Sequence, residues 1–180
     1  MIKKLLATLI ATSSTLAFAS GTSAPYVGIS TGIVNNSASN GNIFRGMPVN
    51  IFAGYGAVLN QTIYLAGELT GTLGTFGFNN NNTVLGSSGL RSSYGYGVSF
   101  IPGFMLNDRT VAYARAGLVG TRFNNANKTV LGGQFGLGMQ TTVMQNWELR
   151  GEYDYTTYRS FQNSSPRSDA FTMGLVYKID

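Results

Sequence analysis

From Tyr26 onward, apolar side chains recur at every second position in runs of about ten residues, which is the period of a strand and not the 3.6-residue period of a helix. Eight runs can be marked: Tyr26 to Val34, Val49 to Val58, Thr62 to Leu73, Leu90 to Ile101, Thr110 to Thr121, Val130 to Val143, Trp147 to Tyr158 and Ala170 to Ile179. The seventh alternates Glu148, Arg150, Glu152 and Asp154 with Trp147, Leu149, Gly151, Tyr153 and Tyr155, so one face is ionic and the other apolar and aromatic. The sixth sets Gln134, Gly136, Gly138 and Gln140 against Phe135, Leu137 and Met139; the third sets Tyr64, Ala66, Glu68, Thr70 and Thr72 against Ile63, Leu65, Leu69 and Leu73.

The connections alternate too. Short turns at Leu59-Asn60-Gln61, Asn107-Asp108-Arg109 and Gln145-Asn146 are interleaved with longer polar loops over Asn35 to Met47, Gly74 to Gly89, Arg122 to Thr129 and Arg159 to Asp169. Short turns on one rim and long loops on the other predict an all-β, eight-stranded, up-and-down antiparallel transmembrane barrel. An even strand count puts both termini at the short-turn rim.

Alternation alone does not say which face points inward, because a soluble ligand-binding barrel is a membrane barrel turned inside out. Charge placement separates the two. The polar faces carry Glu68, Arg91, Arg115, Glu148, Arg150, Glu152, Asp154 and Lys178, four negative and four positive, while the apolar faces carry none. Balance suits a closed lumen, where ions removed from water must be paired. The same faces are rich in Gly28, Ser30, Gly32, Gly54, Gly56, Ser93, Gly95, Gly97 and Ser99, small residues that suit the crowded inside of an eight-stranded barrel. On this reading Leu65, Leu69, Phe135, Leu137, Met139, Leu149 and Leu175 face lipid. Tyr55, Tyr94, Tyr96, Phe100, Trp147, Tyr153, Tyr155, Phe171 and Tyr177 supply the aromatic girdles.

Ahead of the runs, Met1-Ile2-Lys3-Lys4 precedes a mostly apolar stretch, Leu5 to Phe18, that ends in Ala17-Phe18-Ala19. A basic start, an apolar stretch shorter than the roughly 20 residues of a membrane span, and an A-x-A site read as a cleaved secretory signal. The expected organisation is a signal peptide over residues 1–19, cleavage between Ala19 and Ser20, and one barrel domain over residues 20–180. Cleavage removes Lys3 and Lys4, so the formal net charge of +5 overstates the basicity of the exported chain. It is no argument for a nucleic-acid partner.

Composition narrows the chemistry. Charged residues make up 11% of the 180-residue chain, against about 25% in an ordinary soluble domain. With no His and no Cys, Ser-His and Cys-His nucleophile pairs, disulfides and the usual zinc sites are excluded. No cofactor or metal is expected. Gly133 to Gly138 is Gly-rich, but its glycines fall on strand parity with no helix after them, so it is not read as a nucleotide loop. The carboxylates Glu148, Glu152 and Asp154 have Arg150 among them and Arg91 or Arg115 across the lumen, which suits a structural ion network better than acid–base work. The long loops carry Arg45, Arg122, Lys128, Arg159 and Arg167 against Asp169, with several Phe interleaved. Such basic loops would meet lipopolysaccharide phosphates or anionic glycans on a host cell.

The last strand, Thr172-Met173-Gly174-Leu175-Val176-Tyr177-Lys178-Ile179, carries a Gly followed by hydrophobic residues at alternate positions. In this segment, and in the eight runs, the chain resembles the small eight-stranded outer-membrane barrels of Gram-negative bacteria, the OmpA and OmpX type. It departs from them in ending on Asp180, where many members end in an aromatic residue. The resemblance implies a monomer in the Gram-negative outer membrane, in contact with lipid and lipopolysaccharide. It also implies that the outer-membrane assembly machinery reads Gly174, Tyr177 and Ile179. Enzymes built on such barrels use His, which this chain lacks. The expected role is therefore structural or surface-interacting, adhesin-like, and non-catalytic. The alternatives left open are a small porin or channel for ions or small solutes and a soluble periplasmic ligand-binding barrel.

Overall fold

The computed structural model describes residues 23–37, 43–77, 92–123, 128–159 and 167–179. Eight strands follow in order: β1 (Ser23–Ser37), β2 (Ile43–Leu59), β3 (Ile63–Gly77), β4 (Ser92–Asn107), β5 (Thr110–Phe123), β6 (Lys128–Met144), β7 (Trp147–Tyr158) and β8 (Arg167–Lys178). Each pairs antiparallel with its neighbours in sequence, and β8 returns to β1 to close the barrel. Closure leaves no edge strand, so every strand has ladder partners on both sides. The seam ends where Ile179 N–H donates to the Pro25 carbonyl at 2.9 Å.

Several strands run further than their alternation predicts, β2 and β3 toward the long-loop rim and β4 toward the short-turn rim. β2 starts at Ile43, so most of the loop expected over Asn35 to Met47 is strand, and Pro48 lies inside β2 opposite Thr75. β4 continues through Pro102 to Asn107, its ladder to β5 passing from Phe100–Ala116 to Gly103–Tyr113. In β3, the pairing steps from Asn50–Thr72 to Val49–Gly74, leaving Leu73 as the extra residue of a bulge. Gly74 there has φ 148, which a side chain would oppose. Beyond the bulge the buried residue is Thr75 and not the even-numbered position, so the period-2 pattern inverts. At the β2–β3 turn, Asn60 and Gln61 both have positive φ (51 and 60), and Thr62 N–H donates to the Leu59 carbonyl at 3.2 Å. This handedness matches the twist of the flanking strands.

The outer face is a continuous apolar band. Leu69, Phe135, Leu137, Met139, Leu149 and Leu175 are all exposed, and Leu65 shares their parity between buried Tyr64 and Ala66. At the short-turn edge Trp147 and Tyr177 meet edge to face at 5.1 Å; at the other edge stand Tyr94, Tyr96 and Phe76.

The main buried apolar cluster among the described residues lies in the short-turn half of the lumen. Tyr26, Phe52, Tyr64, Ala66, Ile101, Val111, Tyr113 and Val176 pack together there, with Val58 and Met105 against them. Facing glycines make room for the rings. A Cβ on Gly28 would lie 2.3 Å from the Phe52 ring, on Gly54 2.5 Å from Tyr26, on Gly56 2.6 Å from the Tyr64 hydroxyl, and on Gly138 2.4 Å from Tyr113. The small inward residues therefore leave space that aromatic side chains from neighbouring strands fill.

Candidate functional site

Above the aromatic plug lies an ion network built from one side chain on β3 (Glu68), one on β5 (Arg115) and three on β7 (Arg150, Glu152, Asp154), all buried. Strand parity aims each inward; antiparallel register brings them level across the lumen. Arg115 lies 2.6 Å from Glu68 Oε1 through Nη2 and 2.9 Å from Glu152 Oε1 through Nε, and its Nη1 donates to Ser99 Oγ at 3.1 Å. Arg150 Nη1 donates to Glu68 Oε2 at 2.5 Å and its Nε to Gln140 Oε1 at 2.8 Å. Its guanidinium also stacks over Phe52 (4.5 Å to the centroid), Tyr26 (5.4 Å) and Tyr113 (5.6 Å). Gln140 passes the chain on to Glu148, which also accepts from Thr142 at 3.0 Å and pairs with Lys178 at 2.6 Å near the short-turn mouth. Two buried phenols complete the arrangement: Tyr26 donates to Glu68 Oε2 at 2.9 Å and Tyr113 to Glu152 Oε2 at 2.6 Å. Ions taken out of water are tolerable only when this many donors and acceptors are matched.

Seven of the eight charges assigned to the lumen thus lie inside the barrel. Arg91 lies outside the described residues, as do Ala19, Ser20 and the rest of the export segment. The seven are four carboxylates and three cations, so the expected balance does not close among the described residues. Of the four carboxylates, Asp154 has the most distant cation among the described residues, Arg115 Nε at 3.8 Å. The aromatic and amide members, Tyr26, Phe52, Tyr113 and Gln140, were not expected in the network. Inward parity was the available signal: Tyr26 shares it with Gly28 and Ser30, and Gln140 with Gln134.

Above the network the lumen opens into a polar hollow of about 120 Å³, floored by Glu152, Asp154 and Arg115 and walled by Asn50, Thr72 and Gln134 among others. At the rim above it, the basic residues expected in loops sit on strand ends: Arg45 on β2, Arg122 on β5, Lys128 on β6 and Arg167 on β8, with Arg159 one residue past β7. The β-ladders simply extend further than the hydrophobic pattern does. Arg45, Arg122, Arg159 and Arg167 share the outward parity of the apolar band, so they crown the barrel wall and not its mouth. Arg122 Nη1 donates to the Tyr94 hydroxyl at 3.0 Å, with its guanidinium 5.7 Å from that ring. Tyr153, also outward, donates to Asp169 at 2.7 Å.

In the closing strand, Gly174 faces inward where a Cβ would lie 2.6 Å from the Ile29 carbonyl, Tyr177 stacks outside on Trp147, and Ile179 makes the seam hydrogen bond.

A family model described as the outer membrane protein beta-barrel domain matches residues 5–178. No curated protein matches the sequence. Among solved structures, the chain is similar to Neisserial surface protein A, with 20% identity, a TM-score of 0.62, and coverage of 89% of this chain and 99% of that one. It is also similar to Ail, the attachment invasion locus protein of Yersinia pestis, solved in complex with the heparin analogue sucrose octasulfate; identity is 18%, TM-score 0.52, and coverage 87% and 99%.

Proposed function

Because the chain belongs to the outer membrane protein beta-barrel domain family, we propose that it is a non-catalytic surface barrel whose long-loop rim binds anionic groups of lipopolysaccharide and of glycans. The protein spans the Gram-negative outer membrane with its eight strands, and in such barrels the long loops face the outside and the outward residues face lipid. The observation that carries the reading is the crown of Arg45, Arg122, Arg159 and Arg167 on the wall, above an exposed aromatic band that includes Tyr94 and Tyr96. Arginine offers a planar fork of donors matched to phosphate and sulfate. Such a crown neutralises lipid A phosphates at the outer leaflet, and the same guanidiniums suit sulfated sugars of the class that Ail holds in its complex. Export begins with removal of residues 1–19 between Ala19 and Ser20, and Gly174, Tyr177 and Ile179 form the signal that the assembly machinery reads. The aromatic plug and the ion network oppose a channel role, since packed rings and paired ions occupy the short-turn half of the described lumen.

Binding of sucrose octasulfate, and separately of lipopolysaccharide, to the mature protein in zwitterionic vesicles tests this. Replacing Arg45, Arg122 and Arg159 by Gln together should weaken both by at least about tenfold and flatten their salt dependence. Unchanged binding in the triple variant would reduce the crown to a solvated edge. N-terminal sequencing of the outer-membrane protein should begin at Ser20.

A further inference from the structure

We propose that the luminal hollow binds one uncharged pyranose sugar, held by a row of four neutral polar side chains. Asn36 on β1, Ser168 on β8, Thr156 on β7 and Gln134 on β6 are successive ladder partners, so they stand side by side across four strands. All four line the hollow. None has a side-chain hydrogen-bond partner among the described residues, and the polar atoms of all four keep open surface. The wall over β1 to β3 differs. There Thr72 donates to Asn50 Oδ1 at 2.8 Å and Asn50 donates on to Ser30 Oγ at 3.4 Å, so those side chains satisfy one another. The row from Asn36 to Gln134 has no such internal bonds and is left to a ligand.

The chemistry of the row sets the class of ligand. Amide and hydroxyl side chains both donate and accept hydrogen bonds. That mixture suits the hydroxyls of a sugar, which do the same, whereas a phosphate or sulfate calls for donors alone and an ammonium group for acceptors alone. Ladder neighbours on one face lie about 4.5–5.5 Å apart, close to the spacing of alternate hydroxyls around a hexopyranose ring. One step nearer the ion network on the same face, Ala170 and Val34 are ladder partners that also line the hollow. They supply an apolar patch for the C–H face of the ring, and a few placed polar groups beside apolar surface are the make-up of a small-molecule pocket. A volume of about 120 Å³ is well above the roughly 10–15 Å³ that one water requires, which leaves room for a single ring. The row lies inside the barrel and the arginine crown on its outer wall, so this site stands apart from the anion binding proposed above.

The test uses mature protein refolded in zwitterionic vesicles and titrated with the methyl glycosides of glucose, galactose, mannose and N-acetylglucosamine, with saturation-transfer NMR reading the bound sugar. At least one should bind saturably, and because the ligand is neutral its affinity should change less than about twofold between low and high salt. The double variant Gln134→Leu with Thr156→Val should weaken binding by at least about tenfold. Ser168→Ala should weaken it by about two- to tenfold, so the result does not rest on one variant folding. Replacing Arg45, Arg122 and Arg159 by Gln should leave sugar binding unchanged, which separates a failure of the hollow from a failure of the crown. If none of the four glycosides binds saturably, the hollow holds water only and the proposal is overturned. Equal affinity in the unmodified protein and in both row variants would overturn it as well.

Discussion

The two halves of the lumen solve the same packing problem in opposite ways. In the short-turn half, Tyr26, Phe52, Tyr64 and Tyr113 interlock with facing glycines and with Ile101, Val111 and Val176 to make a packed apolar core. In the long-loop half, Asn50, Thr72, Gln134 and Thr156 line a hollow that stays polar and partly open. The ion network is the boundary between them. Its lower surface is aromatic, with Arg150 stacked on three rings, and its upper surface is the floor of the hollow. An eight-stranded barrel has just enough interior to be filled; this one fills half with rings and leaves a hollow of about 120 Å³ in the other.

If that division is right, substitutions at the boundary should cost most. Arg115→Ala takes the paired cation from Glu152 and Asp154, while Glu68 keeps Arg150, and should lower unfolding stability by about 3–5 kcal/mol, while Arg45→Gln on the exposed crown should cost no more than about 1 kcal/mol. Urea titrations of the two refolded variants in lipid vesicles make the comparison. Within the lumen, Phe52→Ala opens a cavity under Arg150 and should cost about 3–5 kcal/mol. In the hollow, Thr72→Ala loses only the hydrogen bond to Asn50 at 2.8 Å, about 0.5–1.5 kcal/mol. Equal costs for these two would mean that the halves are not packed differently.

The wall can be tested against the hollow in one strand. Leu137 points into lipid from the middle of β6 and Gln134 points into the hollow, so Leu137→Arg should cost about 2–4 kcal/mol. Gln134→Arg, in the hollow that Asp154 also lines, should cost far less. The smallest contrast concerns glycine. Gly54→Ala forces a methyl to within 2.5 Å of the Tyr26 ring and should destabilise by about 1–3 kcal/mol. Gly67→Ala, on the same hairpin with open space around it, should be stabilising by up to about 1 kcal/mol. Midpoint shifts of opposite sign in one titration series would show both.

Much of this architecture is legible in the alternation of the chain. β7 is read at its observed bounds because its ionic and aromatic faces never break period. β2 and β4 are read short because Pro48 and Pro102 interrupt an apolar pattern that the ladder passes through. β3 is read short for a different reason: the bulge at Leu73 and Gly74 inverts the parity on which the reading depends. In the site, the charged members were legible by face alone. Their pairing was not, since Glu68 and Arg150 are 82 residues apart in sequence and meet only through the register of a closed sheet. Tyr64 is legible as inward from its alternation with Ile63 and Leu65, whereas Tyr26, Phe52 and Tyr113 are not, because an apolar side chain fills a lumen as readily as it meets lipid.

The most direct test of the sealed lumen is single-channel recording of the refolded mature protein in planar lipid bilayers. With the rings of Tyr26, Phe52, Tyr64 and Tyr113 packed below the network of Glu68, Arg115, Arg150 and Glu152, side chains fill the short-turn half of the lumen, and the recordings should show no stable porin-sized steps. A reproducible open state of porin size in the unmodified protein would contradict the sealed lumen and make the protein a channel.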